Sequence, residues 1–188
     1  MIEQYFQNFD IFNKEEIKEI LSSFELRRLK KQSLFVQEGQ ACDEVAYIES
    51  GIIRSYYTTP EGADITYCFR FPNELITSYA SFITGNKSEE TMQVLSDATL
   101  WIIKREEINK FEKNSLAWTR FLRMIAEQQY LELEKRLFQF QRDTAGKRYE
   151  SLLKEYPQYI REIPLQYLAS YLGMTQRHLS RIRKQDAF

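Results

Sequence analysis

Arg177, Arg181, Arg183 and Lys184 fall within eight residues of a 188-residue chain whose formal net charge is only −1. Long cationic donors collected on one short segment can neutralise phosphates and form bidentate bonds to guanine. Gln176 and Ser180 beside them add an amide and a hydroxyl, the other groups that read base edges. Cations near a helix C-terminus are also mildly stabilising with no ligand present. Charge alone therefore does not separate a reading surface from a solvated helix end.

The surrounding pattern does. In "PLQYLASYLGMTQRHLSRIRK" (Pro164–Lys184), Pro164 suits a first helical turn, where no backbone donor is needed. Leu165, Leu168, Ala169 and Leu172 share one face. Gly173 can take the left-handed conformation that ends a helix, and Thr175 can cap the next. Small Ala169, Gly173 four residues on, then Leu179 and Ile182 form the packing pattern of a helix-turn-helix. With Leu179 and Ile182 turned inward, Gln176, Arg177, Ser180, Arg181 and Lys184 face out.

Other chemistries find little support. The one histidine, His178, sits on the basic helix, and the two cysteines, Cys42 and Cys68, form no CxxC pair. No histidine-held metal centre and no Ser/His/Asp or Cys/His constellation can be assembled, so no metal, cofactor or catalytic residue is expected. The start of the chain does not read as a signal peptide, and runs such as "LWII" are too short to span a bilayer. A cytoplasmic protein without membrane contact is expected. Hydrophobic residues make up 43% and charged residues 28%, which permits a sizeable core.

Three regions must position the basic helix. Asn13 and Glu16 form a capping-box signature ahead of Ile17, Ile20, Leu21 and Phe24, an amphipathic helix. From Leu26 to Lys104, short β-rich runs alternate with turn residues about every ten positions, which predicts seven or eight strands in an antiparallel sandwich or barrel, with Pro60–Gly62 at a hairpin tip. From Arg105 the period is helical: a short helix over 105–112, then a long one from Asn114 or Ser115 to about Gln141. Trp118, Leu122, Ile125, Gln129, Leu133, Leu137 and Phe140 recur on one side of it. That stripe is either buried within its own monomer or a dimer seam, and a helix of about 39 Å exceeds what a small barrel can cover. The reading divides the chain into a β domain (1–110), a connecting dimerisation helix (111–142) and a helix-turn-helix domain (143–188), an α+β architecture.

In its order of parts the chain resembles the Crp/Fnr family of transcription regulators. The resemblance rests on "VQEGQACDEVAYIESGIIRSYY" (Val36–Tyr57), "PEGADITYCFRFPNEL" (Pro60–Leu75) and the terminal "LASYLGMTQRHLSRIRK". It implies a cyclic-nucleotide-binding jelly roll, a dimerisation helix and no enzymatic activity. It also implies base-reading roles for Gln176, Arg177 and Arg181 and a phosphate contact at Thr175. The family's effector pocket falls on Asn73, Glu74, Leu75, Glu90 and Thr91, with two departures. Asn73 replaces a glycine, and Glu90 stands where an arginine would meet the cyclic phosphate. A carboxylate there repels a phosphodiester, by about 4 kcal/mol at 4 Å and an effective dielectric near 20, so cyclic-nucleotide binding is not expected. Only "QDAF" follows Lys184, so no β-wing is expected after the reading helix. The implied partners are double-stranded DNA carrying an inverted repeat and a second copy of the chain. RNA polymerase and an unidentified small effector are further partners such a regulator would have. The alternative is a regulator that has lost DNA binding and acts through protein contacts.

Overall fold

The computed structural model describes residues 2–185. Helix α1 (Ile2–Gln7) buries Ile2 and Phe6, and α2 (Lys14–Ser22) follows. The expected capping box is formed: Asn13 Oδ1 accepts from Glu16 N at 2.9 Å and Glu16 Oε2 accepts from Asn13 N at 2.7 Å. Both backbone donors would otherwise go unpaired at a helix start.

Strands β1 (Glu25–Leu29), β2 (Leu34–Val36), β3 (Glu44–Ser50), β4 (Ile53–Thr58), β5 (Asp64–Arg70) and β6 (Leu75–Ile76) precede a short helix, α3 (Tyr79–Thr84). Then come β7 (Thr91–Val94) and β8 (Ala98–Lys104). The strands form two four-stranded sheets, ordered β1-β8-β3-β6 and β2-β7-β4-β5, with antiparallel pairing at each register described. The non-sequential order is that of a jelly roll rather than a meander. Period-two patterning explains the core. Ala98, Leu100 and Ile102 on β8 face Met92, Val94 and Ile53 from the other sheet, together with Ala46 and Ile48. Gly51 has φ +96°, and a Cβ there would lie 2.5 Å from that of Ala98, so the β3–β4 turn requires glycine.

A second apolar cluster covers the outer side of the first sheet. Ile2, Phe6, Ile17, Ile20 and Phe24 meet Tyr47, Ile103, Ile108, Trp118 and Phe121. Helix α4 (Arg105–Asn114) supplies Ile108, and the long α5 (Leu116–Arg142) supplies the last two. Four helices complete the chain: α6 (Ala145–Glu155), α7 (Pro157–Glu162), α8 (Leu165–Tyr171) and α9 (Gln176–Gln185).

The chain divides into two compact units, Met1–Tyr57 with Cys68–Ile125, and Thr58–Tyr67 with Ala126–Phe188. The division passes through α5 rather than ahead of it. It also groups the β4–β5 hairpin tip with the helical unit. In that tip Gly62 has φ +82°. Within the second unit Ser170 Oγ accepts from Thr66 N at 2.9 Å and donates to Asp64 O at 3.1 Å.

Arg27 and Glu44 form a bidentate pair at 2.6 and 2.8 Å, reaching across β8 between its two neighbours. The bond to Arg27 holds the Glu44 carboxyl below the usual carboxylate range, against the opposing effect of burial. A depressed carboxyl stabilises the fold above its unfolded pKa, and the contribution is lost as pH falls through the folded value. Glu44→Gln should therefore lower urea stability at pH 7 by up to about 1 kcal/mol, because the pair is partly solvated. The difference from wild type should vanish at low pH, where the wild-type carboxyl is protonated. Parallel urea melts at the two pH values check it.

Candidate nucleic-acid interface and effector region

In α8, Leu168 and Ala169 are buried, and Pro164 O accepts from Leu168 N at 3.1 Å. Gly173 takes φ +66° and Met174 N bonds to Ala169 O at 3.0 Å, closing the helix end. Thr175 Oγ1 accepts from His178 N at 3.2 Å, so the next helix is capped by the residue expected to cap it. Leu179 is 0% exposed and fixes α9 against α8, whereas Ile182 is only half-buried. Gln176, Arg177, Arg181 and Lys184 are exposed and Ser180 is half-buried. At 3.6 residues per turn, Arg177, Arg181 and Lys184 form one outward row. Asp186–Phe188, on which the missing wing was argued, lie outside the described residues.

The turn is braced by two side chains that sequence reasoning did not single out. Arg136 of α5 donates to Tyr171 O at 2.9 Å, and Arg148 of α6 donates to Leu172 O at 3.0 Å and Asp143 O at 2.6 Å. Charged donors on the last carbonyls of α8 satisfy acceptors that the helix cannot. Arg136 turns to this backbone rather than to Glu132, four residues before it on α5.

The predicted seam residues divide between two environments. Trp118 is a correction: it is 2% exposed, with Phe111 and Phe121 ring centroids 5.0 and 5.3 Å away, and its surface is spent inside its own chain. Leu122 and Ile125 are partly buried against the same cluster. The stripe is apolar along its whole length, but its first turns serve the monomer core. Gln129 is half-buried and donates to Glu132 along its own helix. Leu133 and Leu137 are 59% and 53% exposed, joined by exposed Tyr130, Leu131 and Phe138. Tyr130, Leu133, Leu137 and Phe140 follow steps of three, four and three, a coiled-coil seam spacing. Sequence reading ran the stripe through Gln129 because steps of four also keep one face.

In the effector region, Asn73 adopts φ +71°, the conformation that glycine would supply. Its side-chain carbonyl accepts from Tyr47 Oη at 2.8 Å. Glu74 Oε2 accepts from Phe71 N at 2.8 Å, and Glu74 O from Ile48 N at 3.0 Å. These groups hold the β5–β6 turn. Leu75 packs on the aromatic cluster. Glu90 is half-buried and its backbone is tied to Ser88 Oγ through both N–H and carbonyl. Thr91 is buried, and its Oγ1 accepts from Glu38 N at 3.1 Å. Asn73–Leu75 end on the first sheet and Thr91 begins β7 on the second. Burial pushes the Tyr5 phenol up, reinforced by Tyr47 and Glu74. Tyr5 belongs to the aromatic cluster on the outer side of the first sheet.

Among the described residues no group of three His, Cys, Asp or Glu side chains could hold a metal ion, and no helix is long and apolar enough to cross a membrane.

Comparison with known proteins agrees with this fold. Residues 26–115 match the family model of the cyclic nucleotide-binding domain. FixK2 from Bradyrhizobium japonicum is 19% identical with a TM-score of 0.76, over 86% of this chain and 83% of its own. A protein from Eubacterium rectale assigned to the Crp/Fnr family of transcriptional regulators is 22% identical with a TM-score of 0.75, over 97% and 87%. The c-di-GMP-responsive global regulator CLP of Xanthomonas campestris is 16% identical with a TM-score of 0.72, over 92% and 91%. No curated protein matches this chain by sequence.

Proposed function

We propose that this chain, whose cyclic nucleotide-binding domain and following helices share the fold of Crp/Fnr regulators, is a homodimeric, sequence-specific DNA-binding regulator of transcription. The observation that carries the reading is the outward row of Arg177, Arg181 and Lys184, with Gln176 beside it, on a helix locked by a fully buried Leu179. Helices of this kind enter the major groove by their N-terminal residues, where Gln176 and Arg177 stand. A second copy joined along Leu133 and Leu137 would present two such helices, which meet half-sites about one helical turn, or 34 Å, apart.

Selection of preferred duplexes from a random pool tests the reading. The expected product is an inverted repeat. Its affinity should fall linearly with the logarithm of salt concentration, as released counterions require. Enrichment of no sequence, with no duplex bound even in dilute buffer, favours action through protein contacts instead.

The regulator works without cyclic AMP or cyclic GMP. Asn73 and Glu74 are spent on the β5–β6 turn, and Glu90 stands at the position where the family's arginine would meet the phosphate. Calorimetric titration with either nucleotide should give no binding heat, and neither should change duplex affinity. A micromolar dissociation constant would show that a cation elsewhere replaces the missing arginine.

A further inference from the structure

The two arginines that brace the turn have donors to spare. Among the described residues Arg136 gives one bond, to Tyr171 O, and Arg148 gives bonds from Nε and Nη1 only. A guanidinium carries five N–H donors. No carboxylate among the described residues pairs with either side chain. Their guanidinium carbons lie 4.8 and 4.7 Å from the centroid of the same Phe140 ring. The two like charges therefore stand no farther apart than about 10 Å, the Debye length at 0.1 M salt. Arg136 also lies 3.8 Å from the Tyr171 ring, which holds its plane. Both line a small, partly open hollow of about 40 Å³, to which Ser151 and Tyr156 also contribute. Glu155 is the one carboxylate on its wall, and it is engaged by Lys135 at 2.6 Å.

Two half-buried cations with open donors, fixed by aromatic rings and bonded to no carboxylate among the described residues, make a preorganised acceptor for a planar or tetrahedral oxyanion. We propose that this hollow binds a phosphate-class anion: a phosphate monoester, a diphosphate group or a backbone phosphodiester. An anion bound to both Arg136 and Arg148 would offset their mutual repulsion and immobilise the two side chains, so occupancy stiffens the turn that carries α9. The site does not depend on the DNA-binding reading, and its first test contains no DNA.

Thermal unfolding of the full chain is followed while pyrophosphate is titrated against chloride at matched ionic strength. A saturable rise in Tm is expected for wild type, and for Arg177→Gln/Arg181→Gln, which leaves the hollow untouched. Arg136→Gln should lose most of the rise. Because that change also removes a bond to Tyr171 O, Ser151→Glu is the second variant: it puts a carboxylate into the hollow and keeps every arginine–carbonyl bond. It should abolish the rise. No rise in wild type, an equal rise in both hollow variants, or loss only in Arg177→Gln/Arg181→Gln overturns the proposal. Duplex titrations then identify the source of the anion. If the DNA backbone fills the hollow, Ser151→Glu lowers the salt slope by about 1 and pyrophosphate competes with duplex. If a free anion fills it, the slope is unchanged and both bind together. Either result upholds the chemistry of the site.

Discussion

A chain carrying Leu133→Asp and Leu137→Asp should sediment as a monomer at concentrations where wild type is a dimer, and should lose at least a hundredfold in affinity for an inverted-repeat duplex. Both leucines are more than half exposed in the single chain. Replacing them removes little packing within it, and the monomer melt should be only slightly lowered. In a two-fold seam, each substitution appears twice, so four carboxylates would be buried without partners. Burying one unpaired charge costs roughly 3–5 kcal/mol, which exceeds what a seam of a few turns can return. The DNA effect follows from valence. On the dimeric reading proposed above, two reading helices held by one stem would engage the second half-site intramolecularly, and separating them would forfeit the effective concentration that links the two events, worth about 10²–10⁴ in avidity. A matched pair, Trp118→Ala and Leu133→Asp, separates the two ends of the stripe. The first should melt early, because Trp118 fills the aromatic cluster, at a cost of about 3–5 kcal/mol. The second should melt normally and dissociate. A Leu133→Asp/Leu137→Asp chain that remains dimeric would place the seam on another surface.

That division of labour along α5 marks where sequence reasoning stopped. Helical periodicity identified the helix to within two residues, Leu116–Arg142, because apolar residues at steps of three and four have no strand equivalent. It could not tell which apolar residues face their own chain, since Trp118 and Leu133 have the same pattern around them. Local chemistry was legible where one residue's side chain meets its own backbone neighbours. The Asn13 box, the Thr175 cap and the Gly173 turn are all such cases. Helices α1, α3 and α7, each six residues long, escaped because a segment under two turns shows no full period, and tertiary packing rather than propensity holds it. The arginine brace escaped for a different reason. Arg136 and Arg148 contact carbonyls 35 and 24 positions away, and nothing local distinguishes them from solvated helix cations. The effector region was readable as a departure from a family pattern. What Asn73 does instead, accepting from Tyr47 26 positions away, is a tertiary contact with no local signal.

Arg181→Ala is the change that separates reading from mere attraction. On the selected duplex it should cost about 1–3 kcal/mol, roughly 5- to 150-fold in affinity, if its guanidinium forms the bidentate bond to guanine that its exposure on α9 permits. On a scrambled duplex the loss should be smaller, because only the screened charge is removed there. The difference between the two is the specificity carried by this side chain. Lys184 lies a turn farther along the same row, where phosphate is the natural partner. Lys184→Ala should weaken every duplex alike and lower the salt slope by about 1. The comparison is clean because neither residue packs into the domain: Leu179 supplies the anchor, and Arg181 and Lys184, both exposed, form no side-chain bond among the described residues. Both variants should melt with wild type. Arg181→Lys sharpens the test, since an ammonium keeps the charge but cannot fork onto two acceptors. It should restore binding to scrambled DNA while leaving the selected site weak. Equal losses on selected and scrambled DNA would reduce α9 to a phosphate-binding surface, and sequence preference would then have to come from the shape of the duplex rather than from its bases.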